Sequence, residues 1–146
     1  MSNPFAGTWT YRSFLNDPGL VGDDKTKLED LLFAEGVWTV EDTAVPLFKG
    51  VLSFGSDGDM DLTGVITPAA PGRPAHVHIT GKGRPGTATE DYFYDYDGSL
   101  TEQWPNGVKQ VPAITGSTIR VKPHDGRPAG VVASIIVVKA SLAQQG

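Results

Sequence analysis

Turn-forming pairs of an aspartate or asparagine followed by glycine recur along this chain and constrain its fold more than any other feature. Such pairs favour tight hairpin turns because glycine adopts the positive φ angles that these turns need. Each pair lies close to a run of apolar or aromatic residues, and no long segment has a helical period. The pattern therefore predicts an antiparallel all-β fold. The pairs are Asp57-Gly58, Asp97-Gly98, Asn106-Gly107 and Asp125-Gly126.

Runs of β-branched, aromatic and alternating residues give the positions of the strands. Residues 23–30 are the one stretch with helical character, and they are too few for more than a turn or two. Eight or nine strands close a small up-and-down barrel whose interior is filled or holds one small ligand. We expect such a barrel with about eight strands. The predicted strands cover residues 5–15, 31–41, 47–54, 60–67, 76–81, 90–97, 99–104, 114–122 and 131–140.

Side chains alternate between the two faces of a strand, so each run predicts which residues point the same way. Several of these same-face sets are rich in aromatic residues. The sets are Trp9, Tyr11 and Ser13; Leu32, Ala34, Trp38 and Val40; Phe48, Leu52 and Phe54; and Tyr92, Tyr94 and Tyr96.

The last predicted strand differs from the others because Val131 to Val138 is apolar on both faces. A strand of this kind is normally covered on both sides. We therefore expect its outer side to contact another subunit, in a homodimer or a higher homo-oligomer.

Length and charge limit the classes of partner. The 146 residues suit a single domain, 1–146. Twelve Lys and Arg against 17 Asp and Glu give a net charge of −5, with the basic residues scattered. Nucleic acid and anionic membranes are therefore poor candidates. The absence of cysteine excludes disulfides and thiolate chemistry. Without a signal-like or membrane-spanning run, we expect a soluble cytoplasmic protein.

Two of the three histidines, His76 and His78, alternate along one predicted strand and so share a face. The pair fits a metal site, an acid/base pair or a polar outer face, and the sequence leaves these alternatives open. A divalent or ferric ion would need a third ligand, and without one we expect no cofactor. His124 lies in a turn-like loop, where we expect a solvated side chain. The third-ligand candidates are Glu90, Asp95 and His124.

Aromatic and cationic strand residues supply candidates for a ligand pocket. The row Tyr92, Tyr94 and Tyr96 suits the walls of a site for an aromatic or polycyclic ligand, although it also fits plain packing. Arg12 and Arg120 lie in predicted strands, and a buried guanidinium needs either a carboxylate partner or an anionic ligand. We expect a structural pair for either arginine, with Asp61, Asp95 or Glu102 as its partner.

These residues predict one pocket at one end of the barrel. Its catalytic candidates are His76, His78 and Tyr94. Its ligand contacts are Tyr11, Trp104 and Arg120, with Trp104 expected at a strand end near the barrel mouth. Several hydrogen-bonding side chains on strand positions imply either mutual pairing or a ligand, because unsatisfied buried polar groups are costly.

The opening Gly7-Thr8-Trp9 resembles the first strand of calycin-type barrels, the lipocalins and the avidin and streptavidin group, which implies the same architecture. In the avidin pattern, the second residue after the tryptophan is an asparagine that touches the ligand. That place is Tyr11 here, so biotin binding is not implied. Residues 7–14 and 128–134 also resemble uncharacterised bacterial proteins grouped with this fold.

Residues 73–78, Arg-Pro-Ala-His-Val-His, resemble the histidine strand of intradiol catechol dioxygenases, in which two histidines and two tyrosinates hold ferric iron. Those enzymes take one tyrosine from shortly before this strand. No tyrosine lies between Tyr11 and Tyr92 in this chain, so the resemblance implies no more than a metal at His76 and His78.

Two functions follow as expectations. The first is binding of a small molecule in the barrel, since no complete catalytic motif is present. The second is a barrel enzyme, either dependent on a histidine-bound metal or working as a cofactor-free lyase, isomerase or cyclase through His, Tyr and Asp. Fold alone does not decide between them.

Overall fold

The computed structural model describes residues 3–17, Gly19 and 29–140. Within this part, eight strands form one closed barrel in which each strand pairs antiparallel with its neighbour along the chain, and β8 pairs with β1. The expected antiparallel up-and-down barrel is therefore confirmed. The strands are β1 (Gly7–Leu15), β2 (Leu32–Val40), β3 (Leu47–Ser53), β4 (Asp59–Thr67), β5 (His76–Gly83), β6 (Phe93–Leu100), β7 (Ala113–Arg120) and β8 (Val132–Lys139).

The barrel interior is filled by the inward-facing side chain of every second residue. Near its middle, the rings of Tyr11 and Trp38 stack with centroids 5.7 Å apart. Tyr96 packs edge-on against both of these rings, at 6.0 Å and 5.9 Å. Each large apolar side chain buried in this way contributes about 1.5–3 kcal/mol to folding. Further buried members are Trp9, Phe48, Leu52, Met60, Leu62, Ile66, Ile79, Ile114 and Ile135.

A β-bulge between β1 and β2 changes one predicted face. Ser13 pairs with Ala34, but the next residue, Phe14, pairs with Leu32, so Phe33 is the extra residue. Leu32 is exposed, whereas Phe33 and Ala34 both pack against the core. The prediction that Leu32 shares a face with Ala34, Trp38 and Val40 is wrong, because a bulge interrupts the alternation of side chains.

One predicted hairpin is instead a single strand. The pair Asp97-Gly98 lies inside β6, where Gly98 is opposite Val77 of β5 and Gly116 of β7. A Cβ atom on Gly98 would lie 2.8 Å from Cγ2 of Ile114, so close packing, not a turn, requires glycine there. The predicted strand 99–104 is therefore wrong: β6 continues to Leu100, and residues 101–104 belong to a loop.

The other three turn pairs do lie in turns. Asp57-Gly58 joins β3 to β4 through a short 3-10 turn, Gly55–Asp57. Asn106-Gly107 turns within the β6–β7 loop, and Asp125-Gly126 turns within the β7–β8 loop. Of the predicted helical stretch, residues 29 and 30 belong to a 3-10 turn, and residues 23–28 lie outside the described part. No described helix is long and apolar enough to cross a membrane.

Antiparallel connections place the loops at two ends of the barrel. The pocket end carries the end of β1 and the start of β2 together with the β3–β4, β5–β6 and β7–β8 loops. The opposite end carries the β2–β3, β4–β5 and β6–β7 loops.

Candidate functional site

A pocket of about 480 Å³ opens at the pocket end. This volume is within the usual range for small-molecule sites, about 300–1,000 Å³. The described residues that line it come from four strands, β1, β2, β6 and β7, and from the three described loops of this end. They are Tyr11, Phe33, Ala34, Glu35, Phe54, Ser56, Asp57, Ala88, Tyr92, Tyr94, Tyr96, Arg120, His124, Asp125 and Arg127.

Aromatic rings form the walls of this pocket. Tyr92, Tyr94 and Tyr96 share one side of the chain and all line it, with the rings of Tyr94 and Tyr96 stacked at 6.4 Å. Phe54 packs edge-on against Tyr92 at 6.2 Å, and Phe33 packs against Tyr94 at 6.3 Å. The predicted row of phenols is therefore part of both the packing and the pocket lining.

Burial controls the protonation of these phenols. Desolvation raises the pKa of Tyr11 to about 12, and it raises the pKa of Tyr96 well above the ordinary value for tyrosine. The pKa of the less buried Tyr92 is also raised, first by burial and then by the nearby charge of Asp125. These three hydroxyls therefore keep their protons at neutral pH and can donate hydrogen bonds.

Arg120, at the end of β7, is the charged group buried deepest in the pocket, with 3% of its surface exposed. Its Nε donates to the Tyr94 hydroxyl at 3.0 Å, and its Nη1 donates to the carbonyl oxygen of Pro128 at 3.1 Å. The guanidinium also lies over the rings of Phe33 and Tyr94, at 5.1 Å and 5.7 Å.

No described carboxylate forms an ion pair with Arg120. Asp61, one expected partner, pairs with Arg84 at 2.9 Å, and Asp95 accepts a hydrogen bond from Thr80. Glu102 lies at the opposite end of the barrel, in the β6–β7 loop. The expectation of a structural pair with one of these three carboxylates is therefore wrong for Arg120.

Arg12, the other strand arginine, is on the outside of the barrel. Its exposed side chain pairs with Glu35 of β2 at 3.2 Å. Arg12 and Glu35 are directly opposite each other in the β1–β2 pairing, which brings the two outward-facing side chains together. Arg12 therefore forms a structural ion pair, as expected, but with Glu35 instead of Asp61, Asp95 or Glu102.

The contacts of Arg120 offset only part of the free-energy cost of burying its charge. Burying an ion costs several kcal/mol even after the protein relaxes around it. A cation–π contact returns about 0.5–2 kcal/mol, and each hydrogen bond to a charged group about 1.5–3 kcal/mol. The two rings and two hydrogen bonds therefore offset much of this cost but bring no countercharge.

A hydrogen-bonded chain leads from Arg120 to the mouth of the pocket. The Tyr94 hydroxyl lies 2.6 Å from Nε2 of His124, and Nδ1 of His124 lies 2.9 Å from Oδ2 of Asp125. The ring of Tyr92 stacks on the imidazole at 4.0 Å. Tyr94 is thus held between a cation and a histidine that is itself held by a carboxylate.

His124 is buried, with 8% of its surface exposed, so the expectation of a solvated turn residue is wrong. Asp125 and Gly126 have φ angles of 51° and 74°, and a backbone turn links His124 to Arg127. This turn folds the β7–β8 loop back over the barrel mouth and brings the imidazole onto the Tyr92 ring.

The partners assign the protons of this chain. An ionised carboxylate can only accept, so Nδ1 of a neutral His124 carries the proton that Asp125 accepts. Nε2 is then free to accept from the Tyr94 hydroxyl, whose oxygen in turn accepts from Arg120. The arrangement suits proton transfer between Tyr94 and His124, because each neighbour holds its donor or acceptor in line.

His76 and His78 lie outside this pocket. Val77 and Ile79 take the inward positions of β5, which turns both histidines onto the outer face of the barrel. Nε2 of His76 and Nδ1 of His78 lie 3.1 Å and 3.2 Å from the two oxygens of Asp97 on β6. Placing these histidines in the pocket was therefore wrong, and their catalytic and metal-binding roles stay predictions for an outer surface.

The outer cluster of His76, His78 and Asp97 changes the acidity of its carboxyl. Burial raises the pKa of Asp97, but the hydrogen bonds from His78 and His76 outweigh it and leave that pKa below the ordinary value. No group of three or more His, Asp or Glu side chains in the described part is arranged to hold a metal ion.

Trp104 also lies away from the pocket. It belongs to the β6–β7 loop at the opposite end of the barrel and is 69% exposed. Its backbone is held by Gln110, which accepts from the Trp104 N–H at 2.7 Å and donates to its carbonyl oxygen at 2.6 Å. Trp104 therefore does not line the pocket, because β6 ends before this residue, and its role as a ligand contact stays a prediction.

Three of the six predicted pocket residues are therefore together: Tyr11, Tyr94 and Arg120. The sequence interpretation missed the roles of His124 and Asp125 in the pocket. Their signal was the Asp125-Gly126 turn soon after a strand that ends in Arg120, because such a turn can fold a loop back over the barrel mouth.

A second pocket, of about 830 Å³, lies at the opposite end and is lined mainly by the β4–β5 loop and the end of β6. It has one arginine, Arg73, which donates to the carbonyl oxygen of Pro68. The described lining of this pocket contains no counterpart of the hydrogen-bonded chain of Arg120, Tyr94, His124 and Asp125. The second pocket is therefore a suitable control site.

Comparisons of this chain with protein-family models, with curated proteins and with solved structures gave no match.

Proposed function

We propose that this protein binds a small, flat aromatic or polycyclic molecule in the pocket at the pocket end. The observation that carries the proposal is an open, aromatic-walled pocket with a hydrogen-bonded polar chain on one side. Apolar walls supply affinity for such a ligand, and a few fixed polar groups orient it.

The walls favour a flat ligand. The rings of Tyr92 and Tyr94 pack edge-on against each other at 6.2 Å, and the rings of Phe54 and Phe33 pack edge-on against Tyr92 and Tyr94, respectively. Aromatic pairs are most favourable in offset-stacked or edge-to-face arrangements, and a planar ligand can form both with this lining.

Two alanines at opposite ends allow a matched test. Ala88 is exposed in the β5–β6 loop and lines the proposed site, whereas Ala69 is exposed in the β4–β5 loop and lines the second pocket. The probe is 8-anilinonaphthalene-1-sulfonate, and its fluorescence is titrated against wild type, Ala88→Trp and Ala69→Trp. The indole of Ala88→Trp narrows the mouth of the proposed site, so this variant should bind the probe roughly 10-fold more weakly or worse. The indole of Ala69→Trp narrows the second pocket instead, so its affinity for the probe should stay near that of the wild type.

The stoichiometry and the matched pair decide the outcome. Saturable binding at one site per chain that Ala88→Trp weakens supports the proposal. No saturable binding, or binding that Ala69→Trp weakens instead, contradicts it. Melting temperatures of the variants show whether both remain folded.

A second candidate function is cofactor-free proton transfer, and the chain Asp125, His124, Tyr94 is the observation that favours it. The Tyr94 hydroxyl would give its proton to Nε2 of His124. The resulting phenolate, held by Arg120, would then take a proton from a carbon next to a ligand carbonyl and leave an enolate. Returning the proton to another atom completes an isomerisation.

Hydrogen exchange separates this enzyme from a binding protein. The probe is 2-tetralone, a flat aromatic ketone, whose α-hydrogens exchange with D₂O and are followed by NMR. An enzyme should speed the exchange at least about 10-fold over buffer, and Tyr94→Phe or His124→Gln should remove the effect. The outward-facing His78→Gln is the control and should keep it. Exchange at the buffer rate would contradict catalysis and leave binding.

A further inference from the structure

We infer that the ligand of this pocket carries an anionic group, of the carboxylate class, that binds the guanidinium of Arg120. The inference rests on the proposed function and narrows its ligand to aromatic acids. The observation behind it is a buried arginine that lines a pocket and has no described ion-pair partner.

Arg120 has hydrogen-bond donors to spare. A guanidinium carries five N–H groups, and the described contacts of Arg120 use one on Nε and one on Nη1. The Nη2 group donates to no described residue. A carboxylate can accept from two neighbouring N–H groups of one guanidinium at once, which adds geometric specificity to the charge attraction.

The acidic residues of the pocket lining do not take this place. Glu35 pairs with Arg12 on the outside of the barrel, and Asp125 accepts from His124. Asp57 lies exposed on the turn between β3 and β4. A buried cation attracts an anionic ligand most strongly where no protein carboxylate competes for it.

The surroundings of Arg120 also fit an acid attached directly to a ring. Phe33 and Tyr94 lie against the guanidinium on the wall of the same pocket. A ligand ring packed on this aromatic wall would hold its carboxylate beside the arginine.

Two isosteric probes test the charge on wild-type protein without any substitution. They are 2-naphthoate and 2-naphthamide, which share a ring system and differ in the charge of one group. Calorimetric titration should give the naphthoate roughly 10- to 100-fold tighter binding, the range expected for a hydrogen bond to a charged group.

Variants then locate the preference. Arg120→Gln should bring the two dissociation constants within about threefold, whereas Arg73→Gln, in the second pocket, should leave the gap unchanged. Arg127→Gln removes the other arginine of the lining and should reduce the gap much less than Arg120→Gln does. Arg120→Lys keeps the charge but loses the paired donors, so it should retain part of the gap. Thermal melting reports whether Arg120→Gln folds. If it does not fold, Arg120→Lys and the comparison of the two probes on wild type still test whether Arg120 binds the anionic group.

The possible failures are distinguishable. Equal affinities of naphthoate and naphthamide for wild type would overturn the anionic site while leaving an aromatic-binding pocket. A preference that Arg127→Gln removes and the Arg120 variants keep would overturn the assignment to Arg120. Binding of neither probe would contradict both this inference and the proposed function.

Discussion

Tyr11 shows how position in the barrel sets the chemistry of one residue. Its ring is sandwiched within the interior, stacked on Trp38 and packed against Tyr96, and burial raises the pKa of its hydroxyl to about 12. The same phenol type at the pocket mouth, Tyr92, is less strongly affected. Depth in the barrel thus gives different pKa values to tyrosine hydroxyls that the sequence alone does not distinguish.

We expect the stability of the fold to decline in strong alkali partly through Tyr11. The unfolded chain loses this proton near pH 10, whereas the folded state holds it to about pH 12. Between these values the folded state binds more protons, so the free energy of unfolding falls as pH rises, by roughly 2 to 3 kcal/mol for this group. Urea unfolding of wild type and Tyr11→Phe at pH 9 and pH 12 measures this fall in the free energy of unfolding.

The Tyr11→Phe variant lacks this group and should lose less stability over the same range. Parallel curves for the two proteins would show that Tyr11 ionises as easily in the barrel as in the unfolded chain.

At the scale of the element, β5 and β6 illustrate how one pairing serves two surfaces. Inward, Val77 and Ile79 of β5 pack beside Tyr94 and Tyr96 of β6 in the core. Outward, the same two strands bring His76 and His78 onto Asp97. The outer cluster therefore acts as a link between strands, whatever further role its histidines have.

This cross-strand link predicts an acid-dependent contribution of Asp97. Its pKa in the fold is below the ordinary value of 3.8, so the carboxylate stabilises the fold above that value. The contribution is lost as pH falls through the lowered pKa. At pH 5 the free energy of unfolding of the wild type should exceed that of Asp97→Asn by about 1 kcal/mol or less, which is the usual contribution of an exposed ion pair. Urea unfolding at pH 5 and pH 2 should show the difference vanish at the lower pH; a constant difference would contradict the link.

At the scale of the whole molecule, the outer face of the barrel is uneven. Val132 and Ile136 of β8 point outward and are 48% and 46% exposed, and Ile119 of β7 lies directly opposite Val132. Apolar side chains grouped in this way commonly mark an interface. The homodimer through β8 stays a prediction, and these exposed apolar side chains identify the surface through which it would form.

Sedimentation of the wild type at micromolar concentration should therefore give a dimer, and Ile136→Glu should give a 15.5 kDa monomer, since a buried unpaired charge opposes association. Lys49, outward-facing on β3, provides a control site away from β8, and Lys49→Glu should remain dimeric. A monomeric wild type would count against an interface of ordinary stability.

Much of the fold was readable from the chain itself. Alternation in β1, β3 and the start of β6 correctly predicts which side chains share a face, because a strand imposes a period of two whatever surrounds it. The turn at Asp57-Gly58 is local in the same sense. These features depend on neighbours along the chain, so the sequence is sufficient for them.

Contacts between strands decided the rest. The sequence does not reveal that Gly98 is a packing position, that a bulge turns Leu32 outward, or that β6 ends before Trp104. Each depends on which strand lies beside it, through the register of hydrogen bonds and the space left by side chains from distant parts of the chain.

The candidate site divides in the same way. The sequence by itself determined an all-β chain with the phenol row of β6 on one face, and it marked Arg120 as a cation that needs a partner. Closure of the barrel decided which face became interior, so His76 and His78 were turned outward and His124 was folded inward onto Tyr94. The physical reason is that alternation fixes which residues share a face, whereas burial of the larger apolar set decides which face points into the core.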